Sequence, residues 1–111
     1  MDLDLVFLGT AGSVPTPRRG LSAALLRRGG ERILLDCGEG TQRQLMRSVG
    51  LAEVDHVLIT HLHTDHVLGL PGMLKTFNLR ERDHRCAWWD RPACTPCGAC
   101  CARWWGACCT T

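Results

Sequence analysis

The sequence predicts an α/β fold in which strands come first and a strand–helix alternation follows. Three observations predict it. The chain opens with an apolar segment closed by the turn Gly9-Thr10-Ala11-Gly12-Ser13. Two strand-like segments flank Gly29-Gly30. Beyond residue 41, helical periodicity alternates with a short apolar run, Val57-Leu58-Ile59. That order gives an α/β sandwich layer. A chain of 111 residues is long enough for one small domain with a modest core.

Each element follows from local chemistry. Leu3 to Leu8 reads as the first strand, and Val14-Pro15-Thr16-Pro17-Arg18-Arg19-Gly20 as a rigid loop. Leu21 to Arg27 and Arg32 to Asp36 read as strands joined by a Gly29-Gly30 hairpin. Gly38-Glu39-Gly40-Thr41 leads into a helix with Leu45, Met46 and Val49 on its apolar face, Thr41 as its cap and Gly50 at its end. His56 to Thr60 is the next strand. Gly69-Leu70-Pro71-Gly72 turns the chain into a last helix, Met73 to Leu79, with Pro71 tolerated near its start.

Four potential metal ligands fall within six residues of the segment Thr60-His61-Leu62-His63-Thr64-Asp65-His66. Residues at i and i+2 of an extended segment point to the same side, so His61 and His63 can reach one ion together. Asp65 and His66 follow where the chain must turn and can face a second ion. Imidazole suits zinc, and a carboxylate helps to hold or bridge a second divalent ion. Two ions about 3.5–4 Å apart clamp the attacking and leaving oxygens of a displacement. The alternative, scattered surface histidines, fits poorly with four potential ligands packed behind a buried-type strand.

Other residues allow more than one role. Asp36, at a strand end, either orients a metal-bound His by accepting its second ring proton or satisfies loop backbone groups. Cys37 reads as a small buried residue. The turn at Gly9 to Ser13 lacks the Lys-Ser/Thr ending of a phosphate loop. Arg18 and Arg19 either touch phosphate or are solvated loop charges.

A net charge of +2 neither demands nor excludes nucleic acid. The opening Met1-Asp2-Leu3-Asp4-Leu5 carries acid where a signal peptide carries base, and no apolar run approaches membrane-spanning length. A cytoplasmic protein without a membrane partner is the expectation. Composition breaks near residue 84: of eight cysteines only Cys37 precedes residue 86, and Trp88, Trp89, Trp104 and Trp105 all follow it.

The pattern Thr60-His61-x-His63-x-Asp65-His66 resembles the signature of the metallo-β-lactamase superfamily. Phe7 to Pro15 is similar to that family's opening strand and loop. Asp36-Cys37-Gly38-Glu39-Gly40-Thr41-Gln42-Arg43-Gln44 and Gly69-Leu70-Pro71-Gly72-Met73 narrow the resemblance to ribonuclease Z, the tRNA 3′-processing endonucleases. It covers residues 1 to about 82. It implies the amino-terminal portion of an αββα sandwich, left incomplete, over residues 1–83. It implies two Zn2+ ions, with Mn2+ or another divalent ion as alternatives: His61 and His63 on one, Asp65 and His66 on the second, and Asp65 also as proton acceptor. Pre-tRNA is the implied partner, its shape mattering more than base identity, and the intact protein is expected to be a homodimer. The implied reaction cuts the phosphodiester 3′ of the discriminator nucleotide, leaving a tRNA 3′-hydroxyl and a 5′-phosphate trailer. The loop Pro15 to Gly20 matches one that the family places near the tRNA 3′ end. Arg19 fits that pattern, whereas Pro17 and Gly20 replace the usual Lys and Asn.

Relatives carry a third His for the first zinc, a bridging Asp and a further His well downstream of residue 66. Here the only later His is His84, and Glu81, Asp83 and Asp90 are the only later acids. The 111-residue chain is therefore expected to be inactive by itself. Two other functions stay open: another hydrolase of the superfamily acting on an ester, thioester or phosphodiester, and a non-catalytic metal-binding module built on the tail cysteines.

For residues 84–111, three readings compete: a metal or iron–sulfur knuckle at Cys94-x-x-Cys97-x-x-Cys100, a disulfide knot, which a cytoplasmic chain disfavours, and translation out of frame. The genetic code favours the last. Starting each codon one base earlier turns every Trp and Cys of the tail into Leu, Val or Met and forces Trp88-Trp89-Asp90 to read apolar–Val–Gly. The tail is accordingly expected to be frameshifted and disordered.

Overall fold

The computed structural model describes residues 2–51, 54–80 and the backbone of 87–89. In chain order the elements are β1 (Leu3–Gly9), β2 (Ala23–Arg28), β3 (Glu31–Leu35), α1 (Thr41–Ser48), β4 (His56–Leu58), α2 (Thr64–Val67), α3 (Leu70–Leu79) and β5 (Ala87–Trp89). The strands form one mixed sheet in the order β1-β2-β3-β4-β5. The β1–β2 and β2–β3 pairs are antiparallel, and the β3–β4 and β4–β5 pairs are parallel. The change of sense follows the connections. Gly29, at φ 58°, makes the short turn that closes β2 onto β3 with Arg28 opposite Glu31. Parallel neighbours need a crossover, and α1 and then α3 supply it.

Register sorts the side chains. One face carries Leu8, Ala23, Leu25, Leu34 and Val57, all buried against α1 through Leu45 and against α3 through Met73 and Phe77. Each of the larger side chains, Leu, Val, Met or Phe, contributes about 1.5–3 kcal/mol on leaving water, and Ala23 less. The opposite face carries Leu3, Leu5, Phe7, Leu26, Ile33 and Leu35, none of them buried.

Several elements depart from the sequence expectation. Thr41 does not cap α1. The N-cap is Gly40 at φ 87°, and Thr41 is the first helical residue, its hydroxyl donating to the Gly38 carbonyl at 2.6 Å. Met46 leaves the apolar face and is 47% exposed. The last helix begins at Leu70, because Pro71 fits a first helical turn and Gly69–Gly72 need not be a separate turn. A short helix, α2, forms where a turn was expected. β4 ends at Leu58 because the next donor in line, the Thr60 amide, bonds to the Asp36 carboxylate instead of a strand. Within the stretch expected to be disordered, Ala87–Trp89 pairs with β4, and the remainder of 84–111, on which the frameshift and metal-knuckle readings turn, lies outside the described residues. Among the described residues, no helix is long and apolar enough to cross a membrane.

Candidate metal centre

The site is built where β3 and β4 end side by side. Asp36 follows β3 at φ 58°, a left-handed conformation that Asp tolerates better than most residues. Its amide donates to the Leu58 carbonyl at 2.8 Å. Its carboxylate, 5% exposed, accepts the Thr60 amide at 2.8 Å and the Thr60 hydroxyl at 2.9 Å, and lies 2.8 Å from His66 Nδ1. A buried carboxylate with this many partners is well satisfied, and removing it strands the donors that face it.

The following loop is locked under the histidine run. The Cys37 amide donates to the His66 carbonyl at 2.8 Å, and the Gly69 amide to the Cys37 carbonyl at 2.9 Å. A Cβ on Gly38 would sit 2.6 Å from the Asp65 carbonyl oxygen, and one on Gly69 would sit 2.0 Å from the Gly38 oxygen. Only glycine lets these backbones approach so closely. Cys37 is fully buried, in keeping with its reading as a small core residue.

The ligand run comes together. The His61 ring centroid lies 4.6 Å from that of His63 and 4.0 Å from that of His66. The Thr60 hydroxyl is 2.9 Å from His61 Nδ1. His63 is the N-cap residue of α2, and Asp65 and His66 lie within that helix. Asp65 Oδ2 accepts the Ser13 amide at 3.2 Å and lies 3.4 Å from His66 Nε2. Partial burial pushes the Asp65 carboxyl up, but the Ser13 amide and the neighbouring His66 and His63 together outweigh it and hold the group below its ordinary value.

The donor chemistry suits a borderline divalent ion: three imidazoles and one carboxylate, with Asp36 fixing His66 through Nδ1 and so leaving Nε2 as its ligating nitrogen. Among the described residues no three such groups are arranged to hold one ion by themselves. The described residues thus offer part of a ligand set.

Arg19 is not brought to the histidines. It lines a cleft of about 730 Å3 between the loop at Pro15–Gly20 and α1. Leu68 and Gly69, which follow directly after α2, line the same cleft and make it adjoin the site. Sequence reasoning assigned no role to Thr60, which ties Asp36 to His61, or to Ser13, which holds Asp65 from a distant turn. A hydroxyl immediately before the first His was the available signal for Thr60; nothing in the sequence points to Ser13.

A mixed sheet with helices on one face and this run beyond its fourth strand places the chain in a known class. It belongs to the metallo-beta-lactamase superfamily, whose match spans residues 16–85. Within that class it is similar to proteins named ribonuclease Z or tRNase Z. It is 58% identical over 84 residues to ribonuclease Z of Natronomonas pharaonis, covering 75% of this chain and 27% of that protein. Identity to the mouse zinc phosphodiesterase ELAC protein 1 is 52% over 82 residues, covering 73% of this chain and 23% of that protein. The crystal structure of the short form of human tRNase Z superposes with a TM-score of 0.65 at 51% identity, covering 68% of this chain and 30% of that one. The chain spans about a quarter of the length of the curated relatives it matches.

Proposed function

We propose that the chain is the amino-terminal part of a ribonuclease Z, a metal-dependent endoribonuclease that removes the 3′ trailer from pre-tRNA. One observation carries this reading. The segment beginning Asp36-Cys37-Gly38, which narrows the resemblance to ribonuclease Z, and the ligand run form a single interlocked structure, with Asp36 on His66 Nδ1 and Gly38 against the Asp65 backbone. High identity to proteins named ribonuclease Z over this region supports it.

In this reading His61, His63, Asp65 and His66 hold divalent ions, zinc in the first place and Mn2+ as an alternative; the name of the mouse relative supports zinc. Such ions supply Lewis acidity toward a phosphodiester and lower the pKa of an attacking water. The chain's own residues do the rest. Asp36 orients His66, Thr60 holds Asp36 and His61, and Ser13 keeps the Asp65 carboxylate ionised and aimed, ready to accept a proton. Arg19 contacts the RNA at one side. The remaining ligands belong to the part of the relatives that this chain does not span, so the 111-residue polypeptide does not cleave RNA by itself. The tail from residue 84 is read out of frame, and the intact protein is a cytoplasmic homodimer.

The test restores the reading frame around codons 82 to 86 and assays the longer product on pre-tRNA and on small esters. Trailer release that is abolished by His63→Ala and by chelation is expected. Ester turnover with pre-tRNA left intact would sink the proposal in favour of another hydrolase of the superfamily.

A further inference from the structure

The cleft beside the histidines has a second basic wall that the resemblance does not supply. Arg18 and Arg19 stand on the loop, and Arg43 and Arg47 on α1; all four are exposed and line the same cleft of about 730 Å3. Glu39 is the one acid in its lining. Among the described residues none of the four arginines makes an ion pair.

Both walls are built. The Thr16 hydroxyl accepts the amides of Arg18 at 3.3 Å and Arg19 at 2.9 Å, and the Thr16 amide donates to the Arg19 carbonyl at 2.9 Å, so the loop holds a fixed turn. A Cβ on Gly20 would lie 3.7 Å from Gln44 Cγ, which puts the base of the loop directly against α1. Arg43 and Arg47 are four apart and share one helix face. That arrangement works against the helix twice. Like charges at this spacing repel. Arg43 also sits in a first turn that contains no acid, where the helix dipole favours an anion. Arg47, in the last turn, is favoured by the same dipole, so the cost lies in Arg43 and in the repulsion between the two. Unpaired arginines held together against that repulsion point to an anionic ligand.

We infer that Arg43 and Arg47 form the second wall of a cleft that takes the sugar–phosphate backbone of single-stranded RNA, opposite Arg18 and Arg19. The cleft lining contains no aromatic side chain, so bases have no stacking platform and recognition is by phosphate, independent of sequence. The inference rests on the RNA substrate proposed above.

Fluorescence anisotropy of the full chain with fluorescein-labelled 12-nucleotide homopolymers of U, C and A tests it. Wild-type protein should bind all three within about three-fold, with affinity falling as salt rises. Arg43→Gln with Arg47→Gln should weaken binding about ten-fold at low salt and reduce the slope of log affinity against log salt by about 1.4, twice the single-strand value per contact. Arg43→Lys with Arg47→Lys should keep most of the slope, and Arg28→Gln, at the hairpin tip, should change nothing; circular dichroism checks that each variant is folded. Unchanged binding in the Gln pair, or a preference above about ten-fold for one homopolymer, would overturn the inference. The two proposals fail separately. If the frame-restored protein cuts pre-tRNA but the Gln pair binds as wild type, the cleft assignment falls alone. If pre-tRNA stays intact while the Gln pair loses the salt slope, the nuclease reading falls and the cleft stands.

Discussion

The two faces of the sheet are made by the same strands and have opposite fates. On one face Leu25, Leu34 and Val57 are 0–1% exposed beneath α1 and α3. On the other, Leu3, Leu5 and Phe7 are 67%, 46% and 70% exposed, and Leu26, Ile33 and Leu35 are only partly covered. Strands with one wet face read as apolar–polar alternation, whereas strands apolar on both sides belong inside a layered structure. The bare face therefore has the composition of a core without its cover. The matched relatives are about three times as long as this chain, and that extra length is available to cover it. The difference teaches that sequence pattern encodes the complete sandwich, while burial in this chain reports only one half of it.

The comparison is most sharply broken by truncating one residue on each face. Leu34→Ala on the covered face is expected to cost about 2–5 kcal/mol, read as a lower urea midpoint. Leu5→Ala on the bare face is expected to stay within about 0.5 kcal/mol. Equal losses would mean that the bare face is covered after all. Next in size is Asp36→Ala, which strands the Thr60 amide and frees His66; a loss of about 1–3 kcal/mol is expected, with a change in the His66 tautomer visible in nitrogen NMR. Unchanged His66 resonances would remove Asp36 from its orienting role. A bare apolar face of this size is expected to make the chain self-associate. Smaller in stability but large in solution behaviour, Leu3→Lys with Phe7→Lys should leave the urea midpoint within about 0.5 kcal/mol while reducing that association in sedimentation. If association persists, the bare face is not its cause.

The smallest effect is acid-dependent. Because the Asp65 carboxyl is held below its ordinary value of 3.8, its charge contributes stability that is complete above that value and is lost as pH falls through the lower folded one. Asp65→Asn should flatten the acid limb of stability, measured as urea midpoints at about pH 5 and about pH 3. An unchanged limb would dissociate Asp65 from its partners.

The fold and half of the site were legible for local reasons. Apolar runs bounded by Gly-rich turns gave β1 to β3, and the two-residue glycine hairpin gave the pairing of β2 with β3. The spacing of His61, His63, Asp65 and His66 gave a cluster in which the structure brings the rings of His63 and His66 against His61 and the Asp65 carboxylate beside His66. Thr41 was misread as a cap because the left-handed Gly40 does that work through its backbone. Met46 fits a helical apolar stripe in sequence, yet it faces the cleft beside α1 because Leu45 already fills the core side. The basic cleft was not legible, since loop 15–20 and α1 are distant in sequence and only the tertiary fold sets the base of the loop against Gln44.

Position 36 carries two independent requirements. Its left-handed backbone admits Gly, Asn and Asp with little strain. Its partners, two donors on Thr60 and a ring nitrogen of His66, call for a negative acceptor, which among side chains means Asp or Glu. Only Asp belongs to both sets. A saturation library at this codon would thus separate folding from function: Asn and Gly should survive a selection for solubility and fail one for a correctly oriented histidine, and Glu should fail both.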